Sequence, residues 1–290
     1  MSQQPFITID ANAPKSQVDL RELWHYRELL WYLSWREISI RYKQTILGIL
    51  WAVLQPFTTM VVFTIFFGNV AQIATNGIPY PIFSFAGLVP WTFFSGSLTS
   101  VTVSLTTNAN LLKKIYFPRL ILPISRVISG LIDFGVAFVI LIVMTLGYIV
   151  FGAGIPDAVG EVAVLQLTLN VLWLPYFLII AFMAALGFGL WLAPLNVQFR
   201  DIRYLSPVLI RLWLFISPVI YPLDLIDSRW QFLYSLNPMV AVLDGFRWAL
   251  LGVGSFPVES TLIGTVTSLI VLVTGMIFFS HVQNSFADVV

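Results

Sequence analysis

Long apolar runs separated by short polar punctuation dominate this chain. Runs of about 20 residues, enough to cross a bilayer, lie near 46–68, 82–106, 124–151, 170–193, 204–222 and 262–281. Another apolar stretch, 230–251, is interrupted by Asn237-Pro238 and carries Asp244 and Arg247. It reads as a broken or re-entrant segment before the last span, not as a seventh crossing. The predicted fold is an all-α integral membrane protein with six transmembrane helices.

The segment before the first span, "DLRELWHYRELLWYLSWREISIRYK" at 19–43, has helical period. At 100° per residue Leu20, Trp24, Trp31, Trp35, Ile38 and Tyr42 share one face, and Arg21, His25, Glu28, Arg36 and Lys43 the opposite one. Asp19 followed by Glu22 resembles a capping box. This predicts an amphipathic helix over 19–45. Tryptophans on its apolar face suit the headgroup boundary, so it lies on the inner leaflet or is buried against other protein. Residues 1–18 contain no apolar core of signal-peptide length and read as a soluble tail.

Composition agrees with the pattern: 58% of residues are hydrophobic and 10% charged, against about 25% charged in soluble domains. The net charge of +1 matters less than its distribution. Of the fifteen Lys and Arg residues, six precede the first span and four (Lys113, Lys114, Arg119, Arg126) fall at the gap between spans two and three. Arg200, Arg203 and Arg211 fall in or just after the gap between spans four and five, while the 69–81 and 152–169 loops have none. By the positive-inside rule the cationic loops face the cytosol, with both termini cytosolic.

Several chemistries are excluded or disfavoured. With no cysteine there is no disulfide and no thiol catalysis. His25 and His281 flank opposite ends of the apolar region, which argues against a zinc site. None of the four lysines follows the glycine pattern of a phosphate-binding loop, so ATP hydrolysis, if it drives this protein, belongs to another chain.

Asp133 and Arg211 are the charges placed inside spans, where a charge is costly. They read as a latch between spans three and five, or as part of a transport path. Span two, "PWTFFSGSLTSVTVSLTTN", is rich in Ser and Thr, suited to close helix approach or to a polar channel wall. Proline corners at Pro218, Tyr221 and Pro222, and again at Asn237 and Pro238, mark an outer gate or a plain capping loop. Asp244 and Arg247, three apart, are positioned for a local pair.

The stretch "LLKKIYFPRLILP" at 111–123 sets three cations and two aromatics between two apolar runs. Residues 29–67, "LLWYLSWREISIRYKQTILGILWAVLQPFTTMVVFTIFF", closely resemble the start of ABC type 2 transporter permeases that export polysaccharides such as O-antigen, capsule or teichoic acid. "GLVPWTFFSGSL", "KKIYFPRLILP", "NVQFRDIRYL", "SPVIYP" and "LNPM" extend that resemblance in order along nearly the whole chain.

The resemblance implies a homodimeric permease in the bacterial inner membrane, driven by two copies of a cytosolic ATPase that carries ATP and magnesium, with no cofactor in this chain. It implies that a coupling helix at Lys113, Lys114, Ile115, Tyr116, Phe117 and Pro118, beside Arg119, docks its aromatics on the ATPase, with Arg200, Asp201 and Arg203 adding contacts. It implies that spans one and five part to pass a lipid-linked glycan. The pyrophosphate of that substrate would meet Arg36, Arg41 and Lys43 near the mouth. Two other readings stay open: a related exporter of drugs or small lipids, and an integral-membrane glycosyl- or acyltransferase built on the outer carboxylates Asp224, Asp227 and Asp244.

Overall fold

The computed structural model of the chain describes residues 20–43, 48–152 and 154–282, and among these the architecture is all-α. The amphipathic segment forms two helices, α1 (Leu20–His25) and α2 (Arg27–Tyr42), not one over 19–45. Tyr26 separates them, leaving helical geometry at φ −91°, ψ 20°. The expected cap at Asp19 lies outside the described residues.

Helix α3 (Trp51–Phe63) continues through a π-helical stretch at Thr64–Val70. Gly68 sits there against Tyr80, whose ring carbon would lie 2.9 Å from an added Cβ. Next come α4 (Tyr80–Thr102), two short helices α5 (Ser104–Thr107) and α6 (Ala109–Lys114), and the long α7 (Ile121–Phe151). A 3-10 turn at Leu169–Trp173 leads into α8 (Leu174–Gln198).

The expected fifth span, 204–222, is shorter than its apolar pattern suggests. Helix α9 runs only Ile202–Ile216, because Ser217 precedes Pro218 and takes an extended conformation, as a residue before proline prefers. Its length is about 22 Å, short of a hydrocarbon layer about 30 Å thick. Five helical segments among the described residues are long and apolar enough to cross a membrane: those from Trp51, Tyr80, Ile121, Leu169 and Val258.

The expected broken segment is a helix pair, α10 (Ser228–Ser235) and α11 (Pro238–Leu251), each started by a side-chain cap. Asp227 accepts from the Arg229 amide and Asn237 from the Met239 amide. Gly252 ends α11 in the left-handed region at φ 69°, which glycine adopts without a Cβ penalty. Helix α12 (Val258–Val282) closes the bundle.

Helix α4 is the axis of the bundle. The protein buries 78% of its apolar window, against 22% for α3, α7 and α12. Helices α8 and α12 come into backbone contact where Gly187 meets Gly275, whose Cβ would lie 2.6 Å from the Gly187 carbonyl oxygen. Small residues at a crossing let two backbones touch, the usual packing device in lipid. Helix α11 is almost wholly buried, packed against α4, α8 and α12.

At the end of the bundle away from the Lys113 loop, Asp157 ties two connections together. Its carboxylate accepts backbone N–H groups from Thr75, Gly77, Val159 and Glu161 at 2.9–3.2 Å. Desolvation pushes its pKa up, but the four donations outweigh that and hold it below the ordinary carboxylate value. A depressed folded pKa adds stability above the unfolded value, near 3.9, and that stability is lost as pH falls through the folded value. Asp157→Asn should therefore melt below the wild-type chain at pH 7, and the gap should close as the buffer is taken below about pH 4.

Candidate functional site

Three features concentrate polar groups in this apolar molecule: the 108–119 loop, a charged seam between α2 and α7, and a buried guanidinium under the proline corners.

In the loop, α6 ends at Lys114 and Ile115 is extended. Ile115 and Tyr116 are 57% and 60% exposed, and Lys113 and Lys114 are exposed beside them. Burial pushes the Tyr116 hydroxyl above its ordinary pKa, and Glu22 and Tyr26 of the α1 region add to that while Arg119 opposes it. Phe117 corrects the expectation. It is 4% exposed and packs into the core, so it supports the loop from beneath and Ile115 takes its place on the surface. Pro118 and Arg119 are half-buried. Beyond α8, Phe199, Arg200, Asp201, Arg203 and Tyr204 are all exposed. The Asn196 amide donates to Thr106 Oγ1 at 3.3 Å, joining the end of α8 to the start of this loop.

The seam leaves the tryptophan face of α2 outward, as a helix lying at the headgroup boundary requires and not as one buried by that face against protein. Trp24, Trp31 and Trp35 are 71%, 67% and 56% exposed, while part of the charged face turns onto α7. Arg126 donates to Glu37, both side chains being about nine-tenths buried, and Arg41 and Tyr42 both donate to Asp133. Arg36 donates to Glu37 at 3.2 Å and to the Asn108 side-chain oxygen at 2.5 Å, so α2 also grips the loop.

The expected Asp133–Arg211 latch is therefore replaced. Asp133 takes partners from α2, and Arg211 on α9 is exposed with no ion pair among the described residues. Asp133 stands eighteen residues before the end of α7, about 27 Å along the helix, which puts it at the edge of a hydrocarbon layer of about 30 Å. Of the cluster Arg36, Arg41 and Lys43, only exposed Lys43 has no ion-pair partner among the described residues.

At the opposite end the proline corners do converge. Ser217, Pro218, Val219 and Ile220 are buried in non-helical backbone, which membrane depth tolerates only inside protein. Arg247, 6% exposed, makes this tolerable by donating to the carbonyls of Pro218 (2.6 Å), Val219 (2.7 Å) and Phe83 (3.3 Å). Its guanidinium also stacks 3.7 Å over the Phe83 ring, an arrangement that favours a weakly hydrated planar cation. The Asp244 carboxylate is 4.0 Å away. Asn237 donates to Ser217 Oγ at 2.9 Å, holding Pro238 and the start of α11 under the same corner, while the Tyr221 and Tyr234 hydroxyls meet at 3.1 Å beside Pro222. Asp224 accepts from Asn76 at 2.9 Å and Asp227 caps α10, so these outer carboxylates hold connections together.

Glu37, Asn108 and Arg126 were missed as a group by sequence reasoning. The one hint was a lone acid, Glu37, four residues before Arg41 on the same helical face. Arg247 was visible as half of a local pair, but its three carbonyl partners lie on distant segments.

The sequence profile described as "ABC-2 type transporter" matches residues 28–251. The chain is 33% identical over 231 residues to "O-antigen export system permease protein RfbA" of Myxococcus xanthus, covering 79% of this chain and 82% of that protein. It is 25% identical over 264 residues to a protein of the same name from Klebsiella pneumoniae, covering 90% and 95%. "Polysialic acid transport protein KpsM" of Escherichia coli is 26% identical over 217 residues, 74% of this chain and 78% of that one.

The seam gives a direct test. Glu37→Gln leaves the Arg126 guanidinium buried without its counter-charge, which should cost about 3 kcal/mol and appear as a lowered melting temperature in detergent. Adding Arg126→Met should return most of the loss, because removing both charges also removes the desolvation cost.

Proposed function

The chain belongs to the ABC-2 type transporter family, and on that premise we propose that it is the permease subunit of an ATP-driven exporter of lipid-linked polysaccharide. The support that weighs most is similarity along most of the chain to permeases named for O-antigen export and polysialic acid transport. In this reading the Lys113–Arg119 end faces the cytosol of a bacterial inner membrane, in keeping with its cations, and both termini are cytosolic. The sixth crossing is completed by α9 and the buried backbone of 217–222. A second copy of the chain covers apolar surface on α3 and α9, where Phe57, Phe66, Leu212 and Phe215 are exposed.

A separate cytosolic ATPase supplies the energy. Ile115 and Tyr116 fit its docking contact: an exposed aliphatic and aromatic pair on a short loop is the kind of anchor that fills a pocket on a partner. Lys113 and Lys114 remain free to meet acidic partners or lipid phosphates. Movement there reaches α2 through Arg36 and Asn108, and reaches α7 through the two ion pairs. Such a rigid linkage transmits a displacement of the loop to the helices around the passage. Lys43 is the cation best placed to attract the phosphates of an arriving glycan lipid, since Arg36 and Arg41 are engaged by carboxylates.

The loop separates docking from folding. Tyr116→Ala should leave the melting temperature unchanged and abolish co-purification of the ATPase in mild detergent. Phe117→Ala should instead destabilise the chain by about 3–5 kcal/mol, the cost of emptying a buried aromatic site. Retention of the ATPase by Ile115→Ala/Tyr116→Ala would reject the docking assignment.

A further inference from the structure

A recess of about 400 Å³ opens between α3, α4 and α7, walled at one end by the last turn of α2. That is within the size range of small-ligand sites. Its lining mixes aromatic faces with uncharged polar groups in a way that lipid contact does not explain. Trp51 stands on the rim, 58% exposed, and Phe93 forms part of the floor. Gln55, Ser97 and Ser100 line the same space.

Ser97 is the decisive residue. Serines and threonines in apolar helices usually return their hydroxyl to a carbonyl one turn back. Thr92 and Ser95 on the same wall do so, to Val89 and Thr92 at 3.0 and 3.4 Å. Ser97 is 2% exposed, and its hydroxyl makes no hydrogen bond among the described residues. A buried, unpaired hydroxyl is costly. Gly130 lets α7 pack against this hydroxyl, and Gly96 leaves the neighbouring space open. A Cβ on Gly130 would lie 2.7 Å from Ser97 Oγ, and one on Gly96 would meet nothing within 4 Å.

The charges narrow the ligand. Arg41 and Asp133 line the recess as a bonded pair, and Arg126 is held by Glu37. A phosphate entering here would have to displace a carboxylate and then face it. A neutral polyol breaks neither pair: its hydroxyls donate to the carboxylate and accept from the guanidinium, the amide and the serine, while its C–H face lies on Trp51.

We infer that this recess is a binding site for an uncharged sugar ring carried at the head of a membrane lipid. It rests on the export reading only for the origin of the sugar: the recess would hold the glycan's lipid-proximal residue beside the entrance.

The test uses the full chain in nanodiscs of phosphatidylcholine, titrated with farnesyl diphosphate or with farnesyl diphosphate bearing N-acetylglucosamine. The wild-type chain should prefer the sugar-bearing probe by about tenfold or more, and Gly96→Leu, which fills the recess without a backbone clash, should erase that preference. Ser97→Ala should weaken the sugar-bearing probe about three- to tenfold, the effect of one hydrogen bond, and leave the bare diphosphate unchanged. Because Ser97→Ala changes only one atom, it keeps the inference open to refutation if Gly96→Leu does not fold. Equal binding of the two probes to wild type, binding of neither, or a sugar preference that survives both substitutions would overturn the inference. ATPase co-purification, followed in the same variants, separates the two proposals. Its retention without a sugar preference removes only the recess, whereas its absence from wild type removes the export reading.

Discussion

A charge at the edge of a hydrocarbon layer has to be paired, and the half of this molecule that carries the Lys113 loop is arranged around that requirement. Arg126 and Asp133 sit on α7, a helix that is otherwise almost wholly apolar. Each is matched by a residue of α2, Glu37 and Arg41. The pairing fixes where the amphipathic helix lies and which of its faces points inward. It leaves three tryptophans outward, where amphipathic rings suit the membrane–water boundary. Through Arg36 and Asn108 the same helix holds the loop that carries Ile115 and Tyr116. The sugar-sized recess shares a wall with the seam, so loop, interface helix and recess form one mechanical unit.

The opposite end solves a different problem with similar chemistry. Helix α9 stops short of the distance a span needs, and buried backbone without its own helix must find donors. Arg247 supplies them from α11 to Pro218, Val219 and Phe83. Helix α4 joins the two ends, presenting the Phe83 carbonyl to Arg247 near its start and Ser97 to the recess further along.

Much of this architecture was legible in the sequence. Apolar runs located the long helices to within a few residues, and proline and asparagine marked the break between α10 and α11. The cationic, aromatic loop stood out because its neighbours lack charge. What stayed hidden follows from the solvent. In lipid both the core and the surroundings are apolar, so periodicity separates the two faces of α2 without saying which one meets protein. Phe117 and Tyr116 look alike in a string, yet only packing decides that one is buried and the other offered. The ion pairs join residues about ninety positions apart, and the expected Asp133–Arg211 contact failed because α2 supplied a nearer cation. The apolar run through 204–222 concealed the stop at Ile216, although Ser217-Pro218 carried the signal for it.

The central claim is that this chain converts ATP hydrolysis on a partner into movement of a glycan lipid across the membrane. Its most direct test is reconstitution with the co-purifying ATPase in liposomes carrying a fluorescent polyprenyl diphosphate-linked oligosaccharide, with transfer between leaflets read by lectin accessibility. The account predicts transfer that requires ATP and is lost with Ile115→Ala/Tyr116→Ala. Transfer at the same rate without ATP, or no transfer by a complex that hydrolyses ATP with this substrate present, would contradict it.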